Sequence, residues 1–316
     1  MTQVFRSLEQ AAGAGATVAS VGNFDGVHIA HREVLARVVE RARELGARSM
    51  AVTFDPHPMR ILRPDVAPRL LTPLAVKLQL LAETGLDAVL VVPFTRDLSL
   101  MPPREFGSEV LCRNLRALEV HEGANFHFGH RAEGNVDLLR SLGAELGFTT
   151  VIYPEKRLRG DVVSSSRIRQ LILQGRITRA NRLLGRSFSV IGNAGRGRGY
   201  GHRYTVPTIN LSRYDELAPH DGVYVTCTRV GQEQFHSVTN VGNRPTFGAD
   251  SFAIETHLLN FHPIEVTSET EVEIAFLYRL REEHKFPTVD ALREQIGRDV
   301  RRAGHYFELA KERLDS

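Results

Sequence analysis

Two histidines three residues apart, His28 and His31, stand in the segment Gly22-Asn23-Phe24-Asp25-Gly26-Val27-His28-Ile29-Ala30-His31. It follows a small-apolar run at 17–21 and precedes an apolar helical periodicity at 32–45, so it reads as strand, turn and helix start. Free N–H groups at a helix start, together with the helix dipole, favour an anion there. Two imidazoles so placed can both donate to one phosphate chain. The other readings are a pair of surface histidines or half of a metal site, and no nearby cysteine or carboxylate pattern completes a metal shell. A second candidate is Ser164-Ser165-Ser166-Arg167-Ile168-Arg169, at the start of another helical run. One serine suffices to cap a helix; three, with two arginines, suit phosphate oxygens as well.

The elements that must position these residues have two rhythms. In the first half, strand-like runs at 17–21, 49–54, 87–94, 118–128 and 149–153 alternate with helical patterns at 32–45, 72–84, 104–118 and 138–146. Strands separated by helices predict a parallel sheet with helices on both faces, and ligands at the carboxyl ends of its strands. After about Leu184 the pattern changes. Strand-like runs at 224–230, 235–241, 252–260 and 271–281, with a hairpin tip at Gly231-Gln232, precede one helix at 288–312. This predicts a small antiparallel β-barrel with a terminal helix. The expected domains are 1–184 and 185–316, joined at Leu184-Gly185-Arg186.

The 316 residues allow a substantial core in each half, and 42% hydrophobic with 24% charged residues excludes disorder as the main state. No apolar run approaches the roughly 18 residues that span a bilayer, and Met1–Gln10 is unlike a secretory signal. Cys112 and Cys227 form neither a disulfide framework nor a metal cluster, and a reducing cytoplasm is expected. The net charge of +3 conceals a segment, 157–203, with eleven arginines and one acid. That segment carries +10 and leaves −7 elsewhere. Its overlap with the serine triplet and a glycine-rich stretch favours phosphate binding over a merely solvated face.

With Thr53-Phe54-Asp55-Pro56-His57-Pro58, Asn125-Phe126-His127-Phe128-Gly129, Val206-Pro207-Thr208-Ile209-Asn210, Asp221-Gly222-Val223-Tyr224, Asn243-Arg244-Pro245-Thr246-Phe247 and Ile254-Glu255-Thr256-His257, the two segments above resemble the bacterial bifunctional riboflavin kinase/FAD synthetase family, in order and spacing. The resemblance implies a Rossmann-like nucleotidyltransferase domain, in which FMN phosphate attacks the α-phosphate of ATP, followed by a riboflavin kinase barrel. By the same resemblance, Gly22, Asn23, Phe24, Asp25, His28, His31, Ser164, Ser165 and Arg167 bind ATP for adenylyl transfer, and His28 and His31 are catalytic. His57, pinned between two prolines, and Asn125 are the FMN-side candidates. In the kinase, Thr208 and Asn210 are implied ligands of Mg2+, Glu255 the general base for the ribityl hydroxyl, and Gly195, Gly197, Gly199, Gly201 and Thr208 contacts to ATP. Without the resemblance Glu255 reads as an ordinary solvent-facing residue, since Phe252, Ile254 and Leu258 mark the opposite face of its strand.

Several positions depart from the family's pattern: Ala30 for Gly, Ser166 for Thr, His202 for Arg, and Thr205-Val206 for Gly-Phe. The first two retain a small residue and a hydroxyl. The others fall in the kinase loop and leave open a FAD synthetase with an impaired kinase barrel. A different adenylyltransferase would not explain the second half. An RNA-binding barrel would need more stacking rings than Tyr200 beside its Arg-Gly loop. The expected partners are therefore ATP, riboflavin, FMN and FAD, with no nucleic acid and no membrane; the oligomeric state is left open.

Overall fold

The computed structural model describes residues 2–195, 208–211, 214–243, 252–262, 264 and 266–312. They form two compact units, Met1–Arg167 and Ile168–Ser316. This division falls before the joint expected at 184/185, because the helical residues 177–184 pack on the strands that follow them.

The first unit contains β1 (Gln3–Phe5), α1 (Leu8–Ala12), β2 (Thr17–Val21), α2 (Ile29–Glu44), β3 (Arg48–Asp55), α3 (Pro58–Leu62), α4 (Leu74–Ala82), β4 (Ala88–Pro93), α5 (Arg96–Leu100), α6 (Pro103–Glu105), a π-helix (Phe106–Asn114), β5 (Ala117–Gly123), α7 (Val136–Leu146), β6 (Thr149–Tyr153), the short hairpin β7 (Arg157–Leu158) and β8 (Asp161–Val162), and the start of α8 (Ser165–Leu173). The sheet order is β1-β4-β3-β2-β5-β6, parallel throughout. The middle strands are continuous apolar runs because both faces are covered. One face packs Ala19, Val21, Met50, Val52, Leu90 and Val120 against the π-helix and α7. The other packs Val18, Ala51, Val89 and Val91 against Leu35, Val38 and Ala42 of α2 and Leu80 and Leu81 of α4. Arg41 of α2 also bonds the Glu119 carboxylate of β5, which holds that carboxyl down to about 2.

Three sequence expectations are corrected here. The run at 17–21, expected as the first strand, is the second: β1, only three residues long and with Val4 40% exposed, has too short a pattern to read. The span 104–118 is not one α-helix; α6 passes into the π-helix, where the Leu115 N–H reaches back five residues to Val110 O at 3.0 Å. The strand expected to reach Phe128 ends at Gly123, where a turn is closed by Phe126 N–H on Gly123 O.

The second unit comprises α9 (Ile177–Leu184), β9 (Phe188–Gly195), β10 (Thr208–Leu211), β11 (Gly222–Val230), β12 (Glu233–Asn243), β13 (Phe252–Leu258), β14 (Glu271–Arg281) and α10 (Val289–Glu312). The strands close as β10-β13-β12-β11-β14-β9, all antiparallel, so that no sheet edge is left open. Asn181 of α9 ties itself to two of them, donating to Phe276 O and accepting from Phe188 N–H, each at 2.8 Å. The expected four strands and terminal helix are present, and β9 and β10 complete the barrel.

Five buried hydroxyls form a closed ring inside it. Thr226 bonds Ser237 (2.7 Å), Ser237 bonds Thr228 (2.7 Å), Thr228 bonds Thr256 (3.0 Å), Thr256 bonds Thr239 (2.9 Å), and Thr239 returns to Thr226 (2.7 Å). Each hydroxyl can donate once and accept from its neighbour, so the ring stitches β11, β12 and β13 together with no donor left over. Opening it leaves hydroxyls with no exposed surface unpaired. Thr228→Val should therefore destabilise this unit by about 1–3 kcal/mol, while Thr228→Ser should not. Amide hydrogen exchange along β11–β13 reads the difference; wild-type protection in the valine variant would contradict the ring's role.

Candidate active sites

The carboxyl ends of β2, β3 and β5 gather the first set of candidate residues. β2 ends at Val21, and the chain reverses through a turn with two unusual backbone positions, Phe24 (φ 46°) and Val27 (φ 38°). A β-branched residue in the left-handed region persists only where its surroundings dictate it. Here Asp25 does so. Buried to 3% exposure, its carboxylate accepts from the backbone N–H groups of Leu71 and Thr72, each at 3.0 Å. Thr72 Oγ1 in turn accepts from Gly26 N–H at 3.0 Å. The Phe24 ring is buried and meets His31 edge-on, with centroids 5.2 Å apart.

His28 is the N-cap of α2, its Nδ1 accepting from His31 N–H at 3.3 Å. A ring nitrogen that accepts carries no proton, so His28 is the neutral tautomer with its proton on Nε2. The two imidazoles are stacked, 3.6 Å between centroids and 17° apart. Burial, then the neighbouring His28 and Lys77, hold His31 well below the ordinary histidine range, and its Nδ1 is buried with no hydrogen-bond partner. His31 is thus a neutral ring at pH 7, and His28 has its Nε2 free of the cap bond. Ala30 lies in the first turn of α2 and is half-buried.

The serine segment meets this turn. Ser165 Oγ donates to Asp25 O at 2.8 Å, and Ser164 Oγ accepts from Arg167 N–H at 3.2 Å, capping α8. The guanidinium of Arg167 is held by Asp161 Oδ1 at 2.8 and 3.0 Å. His57 caps α3 through its Nδ1, which accepts from Met59 N–H at 3.2 Å. Asn125 is exposed in the turn after β5. Asn23 is also exposed, and its carbonyl accepts from Thr53 Oγ1 at 3.2 Å, which joins the ends of β2 and β3.

Sequence reasoning missed Lys77. In α4, 8% exposed, its ammonium donates to Asn23 O (3.2 Å), Thr53 Oγ1 (3.0 Å) and Phe54 O (3.4 Å). Burial lowers its pKa, against the nearby Asp25 and Asp55. A lysine on the apolar face of a predicted helix, in a chain with only four lysines, was the available signal. Lys77→Met keeps the stem and removes the three bonds. Amide exchange at Gly26 and in the end of β3 should then quicken by about tenfold or more, and exchange in the barrel should not change. Wild-type protection at Gly26 would contradict this role.

In the barrel, register assembles the second set. Antiparallel pairing opposes Asn210 to Gly195 on one side and to Glu255 on the other, and Thr208 to His257. Gly195, Asn210 and Glu255 therefore form one row across β9, β10 and β13. Ile209, Leu211, Ile254, Thr256 and Leu258 are buried in the interior, so Thr208, Asn210, Glu255 and His257 share the outer face. Burial lowers the His257 pKa. Gly195 is the last residue of β9, and Gly197, Gly199, Gly201, His202, Thr205 and Val206 lie outside the described residues. Among the described residues no cluster of three His, Cys, Asp or Glu could hold a metal. Thr208 and Asn210 instead offer hard oxygens, which fit a cation shared with a phosphate chain.

Comparison with known proteins agrees with this division. A family model described as FAD synthetase matches residues 11–167, and one described as riboflavin kinase matches residues 184–307. The chain is 34% identical to the bifunctional riboflavin kinase/FMN adenylyltransferase of Pseudomonas fluorescens, over 90% of each chain. It is 33% identical to that of Escherichia coli (strain K12), over 93% of this chain and 94% of the relative. A solved structure of a macrolide-efflux protein from Streptococcus pneumoniae shares the fold, with a TM-score of 0.84, 24% identity and coverage of 95% of this chain and 97% of that one. The chain belongs to the bifunctional riboflavin kinase/FMN adenylyltransferase family.

Proposed function

We infer that the chain phosphorylates riboflavin to FMN with ATP and then transfers an adenylyl group from a second ATP to FMN, giving FAD and pyrophosphate. The observation that carries this reading is the coincidence of the two family matches with two separate sets of phosphate-suited residues, one at the carboxyl edge of the sheet and one on the barrel. We take 1–184 as the adenylyltransferase part and 185–316 as the kinase part.

For adenylyl transfer, an oxygen of the FMN phosphate forms the new bond to the α-phosphorus of ATP, and the bond to the bridging oxygen breaks as pyrophosphate leaves. The attacking group is already an anion, so the chain's work is orientation and stabilisation of charge. His28 and His31, at the start of α2, hold ATP phosphates as neutral donors. Gly22, Asn23, Phe24 and Asp25 form the turn that allows the close approach, with Asp25 acting through its bonds to Leu71 and Thr72. Ser164, Ser165 and Arg167 bind the nucleotide from the other side; His57 and Asn125 face FMN.

For phosphoryl transfer, Glu255 accepts the proton of the ribityl 5′-hydroxyl as that oxygen attacks the γ-phosphorus. Thr208 and Asn210 would hold Mg2+, and Gly195, with Gly197, Gly199 and Gly201 by the family resemblance, would contact the ATP phosphates. When bound, the cation neutralises charge on those phosphates. The register that opposes Asn210 to Glu255 supports this assignment, because base and cation must serve the same phosphoryl group.

No helix among the described residues is long and apolar enough to cross a membrane. The two cysteines are free thiols, and we place the activity in the cytoplasm with small-molecule partners only. The separate sites give a double test. His31→Ala should lower FAD formation from FMN by about a hundredfold or more and spare riboflavin phosphorylation. Glu255→Gln should do the reverse, by about 10²–10⁴. Asn210→Ala should raise the magnesium needed for phosphorylation by about tenfold or more. Equal loss of both activities in either of the first two variants would contradict two independent sites.

A further inference from the structure

The order of the sheet reverses between β2 and β5. From β2 the chain moves outward through β3 and β4, then returns to place β5 and β6 on the other side. Ligands of parallel sheets bind at such a reversal, outside the carboxyl ends of the strands. The register of this pair runs from Thr17↔Ala117 to Ala19↔Val120. Two residues farther on, a side chain replaces the ladder: Val21 N–H donates to Oε1 of Glu122 at 2.6 Å.

Glu122 is 4% exposed. It lies on the face of Val120, where Val21, Val120 and Phe128 belong to a cluster against which Phe54 and Phe126 pack. Its neighbour across β6 is Ile152. The bond from Val21 to Oε1 is the only hydrogen bond or ion pair of the Glu122 side chain among the described residues, which leaves Oε2 without one. A buried carboxylate with one amide donor and no cation is strongly disfavoured. Burial accordingly pushes Glu122 well above the usual carboxylate range, opposed only by the Val21 N–H. No titratable or charged side chain of β2, β6 or the packed helices contributes. Burial thus favours the protonated acid over the carboxylate, and among the described residues the acid's second oxygen has nothing to donate to.

We propose that Glu122 is a substrate-contacting residue of the adenylyl-transfer site, its neutral acid donating a hydrogen bond from Oε2 to an oxygen acceptor of FMN. This rests on the reading that transfer takes place above the 22–31 turn, one residue beyond Val21. Its position assigns it to FMN rather than to ATP. Glu122 is on the side of Phe54 and Phe126 and on the strand that leads into Asn125. His28 and His31 begin α2, whose Leu35, Val38 and Ala42 pack on the opposite face. FMN offers carbonyl and phosphate oxygens, and a neutral acid meets a phosphate without the repulsion an ionised one would bring.

The sign follows from the protonated form being the one that binds. Affinity for FMN is fully present below the raised pKa of Glu122 and is lost as pH rises through it. The full chain should therefore show a KM for FMN that climbs on the alkaline side while the KM for ATP stays level. Glu122→Gln keeps an acceptor for Val21 and an amide donor for FMN but cannot ionise. It should retain FAD formation to within about threefold and abolish the alkaline climb. Glu122→Leu should lower kcat/KM for FMN by about tenfold or more at every pH, with riboflavin phosphorylation by the same preparation as the control for folding. If the leucine variant does not fold, the glutamine profile decides alone. The infrared band of a protonated carboxylic acid, present in wild type and absent from Glu122→Gln, reads the same group without turnover. An alkaline climb that persists in Glu122→Gln, or that appears in the KM for ATP instead, overturns the proposal. Should His31→Ala leave FAD formation intact, the reading of the whole site fails; should it abolish FAD formation while Glu122→Leu matches wild type, only Glu122 is wrongly assigned.

Discussion

A parallel strand that ends at the top of a sheet leaves backbone donors and acceptors without partners, and the first candidate site is built from how this chain satisfies them. The Asp25 carboxylate takes the N–H groups of Leu71 and Thr72, its own carbonyl takes Ser165, and Thr72 returns a bond to Gly26. Lys77 fastens the Asn23 carbonyl to the end of β3. Three segments distant in sequence are thereby pinned to one turn, and that turn carries Phe24 and Val27 in conformations their side chains disfavour, by about 1–3 kcal/mol each. The strain is tolerable because the bonds around it are buried. Rigidity here has a chemical purpose: with no nucleophile supplied by the protein, rate depends on where the two phosphates are held.

The barrel achieves the same end by different means. Its closed sheet has no free edge, and alternation along β10 and β13 sends Thr208, Asn210, Glu255 and His257 outward while their neighbours fill the interior. The ring of five hydroxyls couples the three strands next to that face, and Thr256 of the ring lies between Glu255 and His257 in the chain. A polar interior is costly unless every hydroxyl is paired; here a cycle pairs them all. The position of Glu255, the base proposed above, is thus set from inside the barrel.

How far the sequence foretold this depends on where the signal lay. The parallel sheet was legible because β2, β3 and β4 are apolar on both faces, and the barrel because Val272, Ile274 and Phe276 of β14 alternate with less buried neighbours, a rhythm that breaks only at the exposed Tyr278. His28, His31, Ser164 and Ser165 could be singled out because their types and spacing sit at helix starts. β1 was too short to show a period. Glu122 was hidden for another reason: it looks like a surface residue until long-range pairing buries it, whereas the apolar helix face that carries Lys77 was a local sign of that lysine's burial. The opposition of Asn210 to Glu255 likewise depends on strand register, which no local pattern of forty-odd residues' separation reveals.

Two successive activities on one flavin skeleton form the central claim, and a single time course examines it most directly. The full chain, incubated with riboflavin, ATP and magnesium, should first accumulate FMN and then convert it to FAD, with one ATP consumed at each stage. Riboflavin left unchanged, or FMN that accumulates without ever declining into FAD, would contradict the account.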